Sequence, residues 1–271
     1  MPADGSYPPP TPTSPRAPAA VLGGLRAAIM LLTRLPVGRT DTSAEARRWA
    51  GGWFPLVGTV LGAAAAGIDL ALVGPLGGWL AAVVVVGFSA WITGALHEDG
   101  LADSADALGG ARDRAQLFAI LKDSRHGTYG VLALCLGTLF RVGAIERLGG
   151  WAPEALIVAG LYSRSAVAVL LTTMRYVTPA EGARSSDVAQ AGPSQLLLAM
   201  VLVSLGTVLL ALSHLVAPGT LGTAAATVAL LTAICAWRFH VRAGGITGDF
   251  LGATSQVTEL AVLGVFVAVL S

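Results

Sequence analysis

The sequence has 271 residues, of which 54% are hydrophobic and 12% are charged, and its formal net charge is +1. A soluble domain normally carries about 25% charged residues, so this chain has too little polar surface to cover a water-soluble globule. A net charge this close to zero provides no general attraction to nucleic acid, which we exclude as a partner. The composition indicates a protein of the lipid bilayer.

The N-terminal end differs in composition from the rest of the chain. Proline, serine and threonine dominate its sequence, MPADGSYPPPTPTSPRAPAA, and few of these residues can contribute to a packed core. We therefore expect a disordered, proline-rich tail over residues 1–20. It lacks the basic segment that precedes the apolar run of a signal peptide. Residues 21–271 are predicted to form a single integral-membrane catalytic domain.

Apolar stretches of about 20 residues, the length that crosses the hydrocarbon core of a bilayer, recur along this domain. They cover residues 54–73, 79–96, 128–146, 153–173, 195–216 and 221–237, with a shorter one at 257–270. The stretch 21–33 is shorter still, and we expect a re-entrant or interfacial helix there. Because lipid offers no partners to backbone polar groups, these segments must be helical. The predicted fold is an all-α, polytopic transmembrane bundle of about six to eight membrane helices.

The polar segments between these stretches fall into two alternating groups. Segments 34–53, 97–127, 174–194 and 238–256 hold twelve of the seventeen basic residues, whereas segments 74–78, 147–152 and 217–220 hold only Arg147. Basic residues accumulate on the cytoplasmic side of membrane proteins. We therefore expect the first group, and with it the active site, to face the cytoplasm.

The segment HEDGLADSADALGG follows a predicted span directly and is rich in carboxylates. Asp99, Asp103 and Asp106 are spaced i, i+4 and i+7, so in a helix they share one face, with His97 and Glu98 beside them. Such like charges repel one another, and Mg²⁺, which prefers carboxylate and phosphate oxygens, would neutralise them. The alternative is a solvated acidic face. The position at a membrane boundary favours a metal site.

The segment ILKDSRHGTYG holds the only lysine of the chain, Lys122, together with Ser124, Arg125 and His126. Lysine and arginine beside a glycine-rich turn suit the binding of phosphate, because arginine offers a planar fork and lysine a point charge. The alternative is that these charges only anchor a cytoplasmic loop. His126 is either a general base or a hydrogen-bonding residue.

Two further polar features accompany these segments. In RAGGITGDFLGATSQVTE, a glycine-rich loop precedes a helix, so Gly248 and Asp249 mark a candidate anion site, although glycines there also suit a simple turn. Asp69, Arg141 and Arg164 lie within predicted spans, where charges are costly and must face the bundle interior. Pairing within the bundle and binding of substrate are both open for Arg141 and Arg164, and Asp69 can equally be a lone buried acid near the far side of the membrane.

Several of these segments resemble one known family. LLTRLPV, WFPLVGTVLG, HEDGLADSADALGG, KDSRHGTYGVLAL and GGITGDFLGA, in this order, are similar to cobalamin synthase, the adenosylcobinamide-GDP ribazoletransferase family. The similarity runs from about residue 25 to the C-terminus, and the third and fourth segments are the specific ones. One motif departs from the family, because its usual Arg-Pro-Glu-Gly stands here as TPAEG at 178–182, with Arg175 displaced upstream.

The resemblance implies a reaction in which adenosylcobinamide-GDP and α-ribazole, or its 5′-phosphate, combine while GMP leaves. It implies a multi-pass protein of the inner membrane that uses Mg²⁺, and we also expect association with other corrinoid-pathway enzymes. The expected metal ligands are Asp99, Asp103, Asp106 and Glu98. The expected substrate contacts are Lys122, Ser124, Arg125, Gly248 and Asp249. The expected catalytic residues, one of which accepts the proton of the attacking hydroxyl, are Asp99, Asp103, His97 and His126.

Three other functions were weighed against this one. A CDP-alcohol phosphotransferase also has an acid cluster at the membrane edge, but here Asp103 stands where that family has an arginine, and its downstream aspartate repeat is absent. A transporter would place its polar groups in mid-membrane within an inverted repeat, and the sequence shows no such repeat. A structural partner in a corrinoid-pathway complex would not need the acid cluster.

Overall fold

The computed structural model describes residues 17–38, 43–177 and 191–270, and these are almost entirely helical. The helices are α1 (Ala17–Leu32), α2 (Ala44–Leu76), α3 (Gly78–Thr93), α4 (Leu96–Gly110), α5 (Arg114–Leu121), α6 (Thr128–Leu148), α7 (Ala152–Thr173), α8 (Pro193–Leu212), α9 (Pro218–Ala243) and α10 (Gly248–Leu270). Within these ranges the only β-type pairing is an isolated bridge between Tyr176 and Ile246. The all-α prediction is confirmed.

Among the described residues, five helical segments are long and apolar enough to cross a membrane, or six if the bent pair α3–α4 counts as one span. One of the five is Thr128–Thr173, with 46 residues. Arg141 and Arg164 lie far apart in this segment, yet both contact Glu259. The chain must therefore reverse at the 3₁₀ turn Gly149–Trp151, and α6 and α7 are separate helices of 21 and 22 residues. Each is about 30 Å long, which matches the hydrocarbon core.

Small residues bring the helices close together. α2 packs along α7, and a Cβ atom on Gly58 would collide with the carbonyl oxygen of Gly160, so these two backbones are in direct contact. Two mostly apolar core clusters result, one around Val85, Ile145 and Leu263 and the other around Phe54 and Phe250. Close approach through glycine is the usual way to pack helices in lipid, where the hydrophobic effect does not drive association.

A sharp bend separates α3 from α4, whose axes differ by 89°. Gly94 and Ala95 both have left-handed backbone conformations, with φ of 69° and 56°. This conformation is unfavourable for alanine and ends α3 after only 16 residues. The bend starts α4 inside the bundle, and α4 then packs against α6 and α10.

Several predicted boundaries differ from the structure. The segment 238–256 was expected to be a polar connection, but α9 continues to Ala243 and α10 begins at Gly248, so the last helix is longer than predicted. The predicted span 54–73 is part of a longer helix, because α2 begins at Ala44 and continues through Pro55. Ala17–Ala20 belong to α1 rather than to a tail. The rest of the predicted tail and the TPAEG motif lie outside the described residues.

Candidate active site

The position of α4 depends on its contact with α10. A Cβ atom on Gly100 would lie 2.7 Å from the carbonyl oxygen of Asp249 and 3.0 Å from Cα of Gly252, so the two backbones touch where both helices carry glycine. Asp99 precedes Gly100, and Asp249 lies in the first turn of α10. The close approach therefore brings carboxylates from two distant parts of the chain together.

Asp99, Asp103 and Asp249 form one acidic group, which we call the acid row. Asp103 lies close enough to Asp99 and to Asp249 to be repelled by both. The Nδ1 atom of His126 is 3.5 Å from Oδ1 of Asp103. Among the described residues, no lysine or arginine forms an ion pair with these three carboxylates. The group therefore carries uncompensated negative charge.

Asp106, a predicted metal ligand, has a different set of partners. Its two carboxylate oxygens accept hydrogen bonds from the backbone N–H groups of Gly127, at 2.6 Å, and Gly130, at 2.9 Å. These amides belong to the first turn of α6, where free N–H groups need an acceptor. Asp106 therefore holds the start of α6 against α4 and positions the loop that contains His126.

Glu98, also a predicted metal ligand, points into a buried charge network. Its Oε1 accepts hydrogen bonds from Nη1 of Arg141 at 3.3 Å and from Nε2 of Gln256 at 3.1 Å. Arg141 also pairs with Glu259 at 3.1 Å, and Arg164 reaches the other oxygen of Glu259 at 2.5 Å. Two arginines and two glutamates thus compensate one another inside the bundle. For Arg141 and Arg164 the structure shows pairing rather than a free phosphate-binding group.

His97 lies between the acid row and this network. Its side chain is 3% exposed, and its Nδ1 atom is buried with no hydrogen-bond partner among the described residues. It lines a cavity of about 230 Å³ together with Asp99, Gly248 and Asp249. A buried imidazole nitrogen without a partner is costly. The Nδ1 atom itself is not exposed to the cavity, although other atoms of His97 line it.

A second space lies at the other end of the acid row. It is an open groove of about 560 Å³, lined by Asp106, Asp123, Arg125, His126 and the first residues of α6. Asp99 faces the inner cavity, whereas Asp106, seven residues further along the same helix, faces the groove. These two positions are about 10 Å apart along the helix axis. His126, which contacts Asp103, also lines the groove, so the acid row borders the inner cavity directly and the groove through His126.

The loop between α5 and α6 carries the predicted phosphate-binding residues. Arg125 binds Asp123 through two side-chain hydrogen bonds of 3.0 and 2.7 Å, and these bonds hold the pKa of Asp123 at about 2. Lys122 and Ser124 are exposed in the same loop. Arg125 borders the groove, but its partner in the structure is a carboxylate rather than a free space for phosphate.

Gly248 and Asp249 occupy the first turn of α10, whereas the sequence predicted a loop before the helix at these positions. The hydroxyl of Thr247 accepts the N–H of Phe250 at 3.3 Å and lies 3.4 Å from a carboxylate oxygen of Asp249. The amides of Gly248 and Asp249 precede the helix hydrogen-bond ladder, and the helix dipole favours an anion beside them.

Several residues that shape this region were not predicted from the sequence. Gln256 bonds both Glu98 and Arg141, and Phe54, Val167 and Leu171 form walls of the inner cavity. A glutamine within an apolar span is an unusual feature that would have identified Gln256. The residues of the cavity wall could not be identified in this way, because an apolar residue in a membrane helix can face lipid, protein or a cavity.

Comparison with known proteins now adds a family to this geometry. Residues 24–267 match the sequence model of the family described as cobalamin-5-phosphate synthase. The chain belongs to this family. Relatives named adenosylcobinamide-GDP ribazoletransferase include a protein of Chlorobaculum parvum, 38% identical over 89% of this chain and 94% of its own, and one of Pseudomonas paraeruginosa, 37% identical over 89% and 96%.

A third relative of the same name, from Sinorhizobium, is 38% identical over 78% of this chain and 82% of its own. No solved structure matches the chain. The resemblance inferred from the motifs is therefore confirmed, and the matched region contains the acid row, the inner cavity and the groove. The family is one of transferases in cobalamin synthesis, so the chain is an enzyme.

Proposed function

We propose that this enzyme joins adenosylcobinamide-GDP to α-ribazole or its 5′-phosphate and releases GMP. A hydroxyl oxygen of the ribazole attacks the phosphorus atom that carries the cobinamide. A new P–O bond forms, the bond to the oxygen of GMP breaks, and GMP leaves with that electron pair. The proton of the hydroxyl passes to a carboxylate of the enzyme.

One observation carries this proposal. The acid row borders the inner cavity through Asp99 and Asp249 and reaches the open groove through His126, which lines the groove and contacts Asp103, so two substrates can approach the acid row from two sides. Transfer of a phosphoryl-linked group depends mainly on positioning the two substrates and neutralising their charge, because the protein itself takes little part in the covalent chemistry. Asp99 lines the cavity, where the acceptor hydroxyl would lie, and we assign it the role of proton acceptor.

The acid row fits Mg²⁺ by the chemistry of its donors. Asp99, Asp103 and Asp249 offer hard oxygen ligands and carry uncompensated charge. No group of three or more His, Cys, Asp or Glu side chains in the described ranges is arranged to hold an ion by itself. Mg²⁺ takes one or two carboxylates and completes its shell with substrate phosphates and water, so in this proposal the substrate would complete the site. When bound, the ion would neutralise charge on the pyrophosphate.

The other polar residues have supporting roles in this proposal. His126 orients Asp103 from the groove side. The amides at the start of α10 and the side chain of Arg125 would bind phosphate oxygens, Arg125 exchanging Asp123 for the substrate. Glu98 and Asp106, proposed from the sequence as metal ligands, instead fix α4 in place through the contacts described above.

We also propose that the protein lies in the cytoplasmic membrane with its groove on the cytoplasmic side. The loop between α5 and α6, which borders the groove, carries Lys122 and Arg125, whereas the connection between α6 and α7 carries no basic residue beyond Arg147 at the end of α6. This asymmetry follows the positive-inside rule. A cysteine introduced in either connection and labelled from outside intact cells would test the orientation.

Turnover of the purified protein in lipid nanodiscs tests the function. With adenosylcobinamide-GDP and either ribazole form, cobalamin product and GMP should appear in equal amounts, and a chelator should stop both until Mg²⁺ is restored. Asp103→Asn should lower kcat by about 100-fold or more, because it removes charge at the reacting groups. Glu146→Gln, at the exposed end of α6, is the matched control and should retain activity.

Two results would contradict the proposal. Folded wild-type protein that forms no product would refute the reaction, and CDP-alcohols would then be the next substrates to test. Full activity in Asp103→Asn would refute the role of the acid row while leaving the reaction itself in place.

A further inference from the structure

The inner cavity differs in character from every other part of the candidate site. Four helices supply apolar walls, which include Leu31, Leu32, Phe54, Val167, Leu171 and Leu251. Asp99, Asp249 and His97 form its polar end. The cavity is therefore apolar on most sides and meets the reacting groups at one end.

The size of the cavity limits what it can hold. An apolar cavity of about 150 Å³ in a protein interior is large enough to bind benzene. This cavity has about 230 Å³, which suits a fused pair of aromatic rings. A corrin macrocycle is several times larger and must stay outside, on the side of the open groove.

The polarity of the cavity further limits which ligands it can bind. Its lining contains no arginine or lysine, so nothing there would compensate a phosphate. Guanine is also bicyclic, but most of its edge consists of donors and acceptors that would lie unpaired against leucine and valine. An apolar bicyclic base with one ring nitrogen needs a single polar partner. His97, which lines the cavity, offers an imidazole that can donate or accept a hydrogen bond.

We infer that this cavity binds the flat, apolar, benzimidazole-type base of the acceptor nucleoside, with the ribose directed toward Asp99 and Asp249. The inference rests on the proposed function, which provides the nucleoside as a substrate. The hydroxyl that attacks phosphorus then lies at the acid row, and the corrinoid substrate approaches from the groove. The cavity thus determines which base the enzyme accepts.

Substitutions on opposite faces of α7 test this inference. Val167→Phe fills part of the cavity, whereas Val169→Phe places the same ring in the groove between α7, α8 and α9. Val167→Phe should raise KM for α-ribazole about tenfold or more, since even one methylene in an apolar pocket changes specificity by this factor. KM for adenosylcobinamide-GDP should stay within about twofold in both variants, and Val169→Phe should leave both constants unchanged.

A second variant changes the cavity in the opposite direction. Leu171→Ala enlarges it, and the ratio of kcat/KM for a ribazole analogue with a tricyclic base to that for α-ribazole should rise about tenfold. This ratio compares two substrates of one protein sample, so a partial loss of folded enzyme does not affect it. Direct binding of α-ribazole alone to nanodisc protein, followed by equilibrium dialysis, provides a readout that does not need turnover.

The outcomes separate the inference from the proposed function. If wild-type enzyme forms cobalamin but Val167→Phe raises KM only for adenosylcobinamide-GDP, the cavity holds guanosine and the inference is wrong. The inference is also wrong if Val167→Phe keeps the wild-type KM for both substrates and Leu171→Ala keeps the wild-type preference between the two bases. If wild-type enzyme forms no cobalamin, the proposed reaction is wrong, and the inference is then tested by equilibrium dialysis alone. Equal binding of the nucleoside to wild type and to Val167→Phe would overturn the inference.

Discussion

Gly100→Ala tests the contact that assembles the acid row. The added methyl group would lie 2.7 Å from the carbonyl oxygen of Asp249, whereas ordinary contacts begin at 3.4 Å, so α4 and α10 must separate by 3.4 − 2.7 = 0.7 Å. Backbone atoms cannot rotate away as side chains do. Overpacking of this kind costs about 1–3 kcal/mol of unfolding free energy. A displacement approaching 1 Å between catalytic groups can lower turnover by about 100-fold.

The assay measures kcat and thermal unfolding of Gly100→Ala in the same nanodiscs. Gly67→Ala is the matched control, because Gly67 lies in helix α2 and a Cβ atom there meets nothing within 4 Å. The control should keep wild-type turnover and unfold at the same or a higher temperature, since alanine is the better helix former. If Gly100→Ala matches the control in both measurements, the close contact does not position the carboxylates and this explanation is wrong.

Three further predictions concern residues around the acid row. Glu259→Gln leaves two buried arginines without their shared carboxylate and should lower the unfolding free energy by about 3–5 kcal/mol, while Glu146→Gln should not change the unfolding temperature in detergent. Asp106→Ala leaves the first amides of α6 without an acceptor, so the unfolding free energy should fall by about 1–3 kcal/mol and hydrogen exchange in that turn should become faster. Arg125→Ala removes only an exposed pair with Asp123, so the unfolding temperature should stay constant while KM for adenosylcobinamide-GDP rises; an unchanged KM would exclude Arg125 from substrate binding.

The helices could be predicted because their signal is local. A run of about 20 apolar residues forms a helix in a bilayer, and α6, α7, α8 and α9 follow the predicted spans closely. The ends of the helices were less predictable, and α10 is an example. Its first turns carry Gly248, Asp249 and Gly252, which read as a loop, but they are helical because they pack against α4.

The candidate site was predictable in part. The i, i+4, i+7 spacing correctly placed Asp99, Asp103 and Asp106 along one helix, and the structure adds Asp249 from the far end of the chain to the first two. The sequence could not show which of these carboxylates have a partner in the fold and which remain uncompensated, because all of them are the same kind of group. Asp106 meets backbone amides and Glu98 meets Arg141, whereas Asp99 and Asp103 have no such compensation. Their metal-binding and catalytic roles stay predictions.

The sequence by itself determined that this protein is a helical membrane bundle of the cobalamin synthase family, because apolar length and ordered motifs are properties of the chain. Only the tertiary structure decided which carboxylates remain uncompensated and that an apolar cavity adjoins them. The reason is that α1, α2, α4, α7 and α10 each contribute part of the cavity, and their relation depends on contacts such as Gly100 against Gly252, which bring together residues about 150 positions apart.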